Sequence, residues 1–117
     1  MLNLPQIKKG LSATAIATLL LSTTAQADMG CPATLHQAPV MPDAKFCQLF
    51  NEELPASLTY HAPSDIPQAA DYYLQQLGDP DSDVTVKGRR VLQFSAGQKI
   101  IVLSEDGNGT QVDMLIK

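Results

Sequence analysis

Two histidines are the only side chains suited to act as bases near neutral pH, and neither has the sequence context of a catalytic site. His61 is followed closely by Ser64 and Asp65, so a base, a nucleophile and a carboxylate lie close together in the chain. The G-x-S-x-G pattern of a nucleophile elbow is absent around Ser64, and Ser64 and Asp65 suit the start of a helix. His36 has no such neighbours. We therefore expect no catalytic residues and no enzyme activity.

Three aspartates at alternate positions resemble the beginning of a metal-binding loop. Asp79, Asp81 and Asp83 match the oxygen-rich start of a calcium loop. An EF-hand loop also requires Gly at its sixth position and Glu at its twelfth, where this chain has Val84 and Arg90. The pattern therefore predicts a solvated acidic turn, with a metal site as the alternative, and no cofactor is expected.

The one cluster of basic residues follows the acidic turn and contains Lys87, Arg89 and Arg90 around Gly88. Such a cluster is typical of a solvated hairpin tip, and as an alternative it offers a contact for an acidic partner. Because the acidic turn follows the negative end of a predicted helix, we expect one of these cations to offset its charge. Tyr72 on that helix is a further candidate partner contact, or else a partly buried residue at the rim.

Cys31 and Cys47 are the only cysteines, and two cysteines in an exported chain indicate one intramolecular disulfide. Closing a loop of about 15 residues contributes ~3 kcal/mol in the chain-entropy account. The spacing is not that of a C-x-x-C redox motif, and a metal site would need His36 and His61 as further ligands. Lipidation of Cys31 is another alternative, although Asp28 stands where a lipoprotein signal has Leu.

Residues 1–27 have the features of a cleaved signal peptide. Lys8 and Lys9 precede an apolar run, acidic residues are absent, and Ala25-Gln26-Ala27 supplies the small-x-small cleavage pattern. The apolar run is shorter than the ~20 residues that a membrane-spanning helix needs, although a retained anchor or a buried helix is the alternative. We therefore expect a periplasmic or secreted bacterial protein with no stable membrane span after processing.

Cleavage after residue 27 would leave six basic against twelve acidic side chains, a net charge of −6. This balance argues against a nucleic-acid partner, because binding to a duplex relies on clustered Lys and Arg. Residues 28–44 contain three prolines and predict an extended segment. A single domain is expected over residues 45–117.

Capping signals predict one helix over residues 65–77. Asp65 and Gln68 form a capping box, Pro67 lies in the first turn, and Gly78 follows the last turn. The apolar residues between these signals recur at helical spacing on one stripe. They are Ile66, Ala69, Ala70, Tyr73, Leu74 and Leu77.

Alternation of apolar and polar residues predicts strands at 45–51 and 57–61 and four shorter strands from Val84 to Ile116. The links between the last four strands are too short for parallel pairing. We therefore predict an α+β fold in the order ββαββββ. It consists of an antiparallel sheet of about 4–6 strands with the helix packed on one face.

Short motifs give the chain a resemblance to small bacterial exported proteins and lipoproteins, mostly of unknown function. They are Pro39-Val40-Met41-Pro42-Asp43-Ala44, Tyr60, Tyr72-Tyr73 with Leu77-Gly78, Leu92-x-Phe94 and Gly109-Thr110-Gln111-Val112. The resemblance covers residues 39–116 and implies a strand-strand-helix-four-strand fold and an exported location. Related chains often have Gly-Trp after the helix, where this one has Gly78-Asp79. The resemblance implies no catalytic residues.

Together these patterns favour a small exported, non-catalytic binding or accessory module that one disulfide stabilises. It is expected to use the exposed face of its sheet or the rim of its helix to contact another envelope protein or a small ligand. An inhibitor of an exported hydrolase, which would insert a rigid loop near the disulfide, is the first alternative. A small metal-dependent protein or enzyme that uses His61 and the acidic turn is the second.

Overall fold

The computed structural model describes residues 30–117, so the predicted signal peptide lies outside the described residues. Within this range the chain forms one helix and eight strands. They are β1 (Thr34–Leu35), β2 (Ala38–Pro39), β3 (Lys45–Asn51), β4 (Ala56–Ala62), α1 (Ile66–Leu77), β5 (Ser82–Val86), β6 (Arg89–Phe94), β7 (Lys99–Asp106) and β8 (Gly109–Ile116).

Six of the strands form one antiparallel sheet in the order β3-β4-β8-β7-β6-β5, and β1 and β2 form a separate hairpin. The strands after the helix follow one another as a meander, and β8 then pairs with β4. The predicted α+β fold with an antiparallel sheet is confirmed. The two extra strands lie in the segment before β3.

The helix begins and ends where the capping residues predict. Gln68 N donates to Asp65 Oδ1 at 2.9 Å, and Asp65 N donates to Gln68 Oε1 at 3.1 Å, which completes the capping box. Gly78 ends the helix with a φ of 87°, a conformation that glycine adopts without strain. The apolar stripe is directed inward, with Tyr73 fully buried against the sheet.

One face of the sheet supplies the core that the helix covers. Leu58, Met114, Ile101 and Leu92 are register partners across β4, β8, β7 and β6, and all four are buried. Directly opposed side chains on one face of an antiparallel sheet pack against each other. This row is therefore the floor of the core, and burying each of its side chains contributes about 1.5–3 kcal/mol.

The segment before β3 is part of the core, although its prolines suggest an extended coil. The β1–β2 hairpin buries Leu35 and Ala38, and the chain after it buries Val40 and Met41. A disulfide joins Cys31 to Cys47 in β3, with a Cα–Cα distance of 5.3 Å. The predicted disulfide is thus present, and its sulfur at Cys31 is not free to carry a lipid.

Two buried tyrosines also hold this segment. Tyr73 in α1 donates to the carbonyl oxygen of Pro39 at 2.8 Å. The hydroxyl oxygens of Tyr60 and Tyr73 are 2.6 Å apart, and Met41 N donates to the Tyr60 oxygen at 3.2 Å. Since Tyr73 gives its proton to Pro39, its oxygen accepts from Tyr60. The helix, β4 and the proline-rich segment are therefore joined by one chain of hydrogen bonds.

We expect this tyrosine pair to make the fold sensitive to alkali. Burial raises the pKa of Tyr60 to about 12 and raises the pKa of Tyr73 still further. A phenol that ionises less readily when folded stabilises the fold below its unfolded pKa of about 10 and loses that contribution as the pH rises. The free energy of unfolding should therefore fall between about pH 10 and pH 12, by up to roughly 3 kcal/mol from Tyr60 alone.

Urea unfolding followed by circular dichroism at each pH measures this loss. Tyr60→Phe should be less stable at neutral pH by about 1–3 kcal/mol, because the Met41 N–H loses its acceptor, but its stability should depend less on pH. Tyr72→Phe is the matched control, because it removes a phenol that is only partly buried. If the free energy of unfolding depends on pH equally in the wild type and in Tyr60→Phe, the prediction is wrong.

Candidate functional site

His61, Ser64 and Asp65 do not form a hydrolytic arrangement. His61 Nδ1 lies 2.9 Å from Asp106 Oδ2, so the carboxylate that orients the ring belongs to β7. Asp65 caps the helix, and the carbonyl oxygen of Ser64 accepts a hydrogen bond from Thr110 at 2.7 Å. The Ser64 hydroxyl is buried and has no hydrogen-bond partner. These residues therefore join β4, the helix start and the β7–β8 hairpin.

The acidic turn is occupied by contacts within the protein. Arg90 donates from Nε and Nη2 to the two carboxylate oxygens of Asp83, at 2.9 and 2.8 Å. This guanidinium holds the pKa of the Asp83 carboxyl below its usual value. Asp81 Oδ2 accepts from Ala96 N at 2.6 Å, in a turn where Ser95 and Ala96 have positive φ angles. Arg90 is thus the cation that offsets the charge beyond the helix.

Metal binding gains no support from this arrangement. Within residues 30–117, no group of three or more His, Cys, Asp or Glu side chains is placed to hold a metal ion. Asp79, Asp81 and Asp83 are therefore not brought together as such a group. His36 and His61 are also engaged separately, since His36 Nε2 lies 2.7 Å from the carbonyl oxygen of Glu52.

Two of the three basic residues are left exposed at the β5–β6 turn. Lys87 and Gly88 both have positive φ, at 52° and 81°, as a type I′ hairpin turn requires. Arg90 forms an ion pair with Asp83, whereas Lys87 and Arg89 are exposed to solvent. Of the predicted basic contact, these two side chains remain available to a partner.

Tyr72 is a partly buried residue at the rim of the helix, the second of its two predicted placements. Its ring meets Tyr73 edge to face, with ring centroids 5.1 Å apart. Its hydroxyl donates to the carbonyl oxygen of Val40 at 3.3 Å. Its contacts therefore serve to hold the segment before β3.

The face of the sheet opposite the helix carries a continuous group of aliphatic side chains, here called the aliphatic patch. Val84, Val91 and Val102 are successive register partners on β5, β6 and β7. Ile100 and Leu115 are partners on β7 and β8, and Val86 is at the end of β5. All six are exposed or only partly buried, and Val84 and Val86 are 47% and 52% exposed. No other element within residues 30–117 covers them.

Polar residues of β4, β7 and β8 lie beside the patch on this open face, here called its polar half, and several of them bond to one another. Val102 is the register partner of Asp113, which is in turn the partner of Thr59. Thr59 donates to Asp113 Oδ1 at 2.6 Å, and Gln111 donates to Asp113 Oδ2 at 3.1 Å. Side chains of the polar half therefore hydrogen-bond to one another, whereas the aliphatic patch presents apolar surface to solvent.

Open depressions lie at both ends of the aliphatic patch, and basic residues border each of them. The first, of about 470 Å³, is lined by Val86, Lys87, Arg89, Val91 and Val102. The second, of about 580 Å³, is lined by Leu54, Pro55, Leu115 and Lys117. In a domain of net negative charge, positive charge is thus concentrated beside exposed apolar surface.

Sequence reasoning expected a contact on the exposed sheet face or the helix rim but named none of these residues, although one signal pointed to them. Ile100 to Leu103 are four consecutive aliphatic residues, a pattern typical of a strand that is apolar on both faces. The helix covers only one of those faces, where Ile101 and Leu103 are fully buried. Ile100 and Val102 therefore belong to the opposite face.

Comparison of the sequence with protein-family models and curated proteins, and of the structure with solved structures, finds no match. Among residues 30–117 there is no helix with both the length and the apolar character needed to cross a membrane.

Proposed function

We propose that this chain is a small exported binding or accessory module without chemistry of its own, which binds a partner protein through the open face of its sheet. The aliphatic patch is the observation that carries this proposal. A domain of this size buries its apolar residues where its own fold allows, and the patch remains outside that core. Apolar surface bordered by polar residues is typical of a protein interface.

A protein partner fits this surface better than a small ligand. Binding pockets for small molecules enclose most of the ligand, whereas the two depressions here are open to solvent. A partner with apolar side chains flanked by acidic ones would complement the patch together with Lys87, Arg89 and Lys117. Opposite charges at the edge of an interface guide the approach of the partner and fix its orientation.

Export is supported by the Cys31–Cys47 disulfide, since such bonds persist in oxidising compartments. A non-catalytic role is supported by the pairing of both cysteines and by the buried Ser64 hydroxyl, which makes no hydrogen bond to His61. The resemblance to small bacterial exported proteins is part of the same proposal.

A pair of substitutions on β7 tests the proposed surface. Val102→Gln places a polar amide at the centre of the aliphatic patch. Ser104→Gln introduces the same side chain two residues away on the same face, in its polar half. We expect Val102→Gln to weaken binding by tenfold or more, about 1.4 kcal/mol, and Ser104→Gln to leave it unchanged.

Immobilised wild-type chain and both variants would be exposed to an envelope extract, and any retained protein would then be titrated against each by calorimetry. The anionic dye anilinonaphthalene sulfonate provides an independent probe, because it combines apolar rings with a negative charge. Its fluorescence should increase with the wild type and Ser104→Gln, and much less with Val102→Gln. Thermal melting establishes that both variants are folded. Equal binding by the two variants would rule out the aliphatic patch as the site.

A further inference from the structure

The outer edge of β5 is a regular strand edge with no neighbour among residues 30–117. β5 pairs only with β6, and its five residues run in unbroken register from Ser82 to Val86. The opposite edge, β3, has two register shifts and is joined by the disulfide to the segment before it. Bulges and covering segments prevent strands from pairing edge to edge. β5 is therefore the edge at which another strand can add.

The backbone of β5 offers hydrogen-bonding groups along this edge. The two-residue turn closes on the pair Val86–Arg89, and hydrogen-bonded pairs then alternate along the hairpin. Val86, Val84 and Ser82 thus direct their backbone groups toward β6. The N–H and C=O groups of Asp83 and Thr85 point outward, where a further strand would accept and donate.

Charge along this edge changes sign from one end to the other. Asp79 and Asp81 precede β5, whereas Lys87 and Arg89 follow it. When two copies of β5 pair antiparallel about Val84, Asp81 of one copy, whose carboxylate also accepts from Ala96 N of its own subunit, comes beside the turn at Lys87 of the other. The same register places Asp83 opposite Thr85, so the outward groups of both strands bond to each other. The edge is therefore complementary to a second copy of itself in both charge and hydrogen bonding.

We propose that β5 is the interface of a two-fold symmetric dimer of this chain, in which two sheets join edge to edge as one continuous sheet. An interface of this type uses the same surface on both subunits, which is the property that the charge gradient provides. Because Val84 and Val86 lie at this edge, the aliphatic patches of the two copies become neighbours on one face. The dimer rests on the strand edge and does not depend on the proposed partner protein.

Lys87→Asp is the variant that separates dimerisation from folding. It replaces the attraction between Lys87 and Asp81 of the second copy with repulsion, twice in a symmetric dimer. Within the monomer it is well tolerated, because Asp-Gly is a favoured pair in type I′ turns. Lys117→Asp makes the same change of charge away from β5 and is the matched control.

Sedimentation equilibrium of the disulfide-bonded chain, from about 5 to about 500 µM, measures the association, which we expect to be weak because five-residue strands bury little surface. The wild type and Lys117→Asp should dimerise with similar dissociation constants. Lys87→Asp should raise the dissociation constant of the dimer by about tenfold or more. Added salt should raise the dissociation constant of the wild-type dimer.

Amide hydrogen exchange identifies the surface that the dimer uses. The amides of Asp83 and Thr85 should exchange more slowly as protein concentration rises, whereas those of Val84 and Val86 are already protected by β6. A monomer throughout the concentration range would overturn the proposal. So would equal effects of the two Lys variants, or association that leaves Asp83 and Thr85 unprotected.

Discussion

Gly109→Ala will destabilise the protein by more than 3 kcal/mol, because the added methyl group has no space. A Cβ at this position would overlap the carbonyl oxygen of Ala62 and would lie 2.7 and 2.8 Å from Cε1 and Nε2 of His61. The Ala62 oxygen is backbone in the central strand β4, so it moves only if the β4–β8 pairing is disturbed. Overpacking of this kind costs 1–3 kcal/mol or more even where side chains yield.

Urea unfolding of Gly109→Ala, followed by circular dichroism, measures this loss. Gly107→Ala, in the same hairpin, is the control: its φ of 64° is strained for alanine, but no atom lies within 4 Å of the added methyl group. It should lose only about 1–2 kcal/mol. The double variant His61→Ala/Gly109→Ala should remain unstable, because the clash with Ala62 persists. Recovery in that double variant would show that His61 alone limits the space.

The parts of the fold that local chemistry determines could be predicted from the sequence. Asp65, Gln68 and Gly78 set the ends of the helix through bonds to residues three or four positions away. The turns at Lys87-Gly88 and at Gly107 use glycine where φ is positive. The disulfide followed from counting cysteines, since two cysteines allow only one pairing. Each of these features depends on near neighbours or on composition, and both are visible in the printed chain.

The arrangement of the sheet depends on distant partners and could not be predicted. In the pairing of β4 with β8, Leu58 lies opposite Met114, although the two residues are far apart in the chain. They pair because both side chains are buried on the same face of the sheet. The segment before β3 was predicted as an extended coil because prolines interrupt it. The hydroxyl groups of Tyr60 and Tyr73 allow its burial, because they satisfy backbone groups at Met41 and Pro39. The alternation of apolar and polar residues within a segment gives no information about such long-range contacts.

The candidate site was found only in part, for the same reason. The basic cluster and the acidic turn were both identified, but the Arg90–Asp83 pair depends on the register of the β5–β6 hairpin. That pairing removes Arg90 from the predicted contact and leaves Lys87 and Arg89. The aliphatic patch required knowledge of which face the helix covers, and no residue on β5 to β8 carries that information alone.

Loss of the disulfide will lower the free energy of unfolding by about 3 kcal/mol without abolishing the fold. The bond joins positions 16 residues apart, and in the chain-entropy account its removal restores freedom to the unfolded chain. For a domain of this length the melting temperature should fall by roughly 10–20 °C. The fold persists because the tyrosine hydroxyls and the buried side chains of Leu35, Ala38 and Val40 hold the segment independently.

The Cys31→Ser/Cys47→Ser variant and the reduced wild type should show the same loss in urea unfolding, since both lack the bond. Hydrogen exchange locates the effect: amides of residues 31–44 should exchange faster, whereas those of β7 and β8 should change only with global stability. If tyrosine hydrogen bonds provide the remaining attachment, adding Tyr73→Phe to the double serine variant should release the segment, because the Pro39 carbonyl then loses its donor. A loss below about 1 kcal/mol in the double serine variant would mean that the core alone fixes the segment, with the disulfide contributing little.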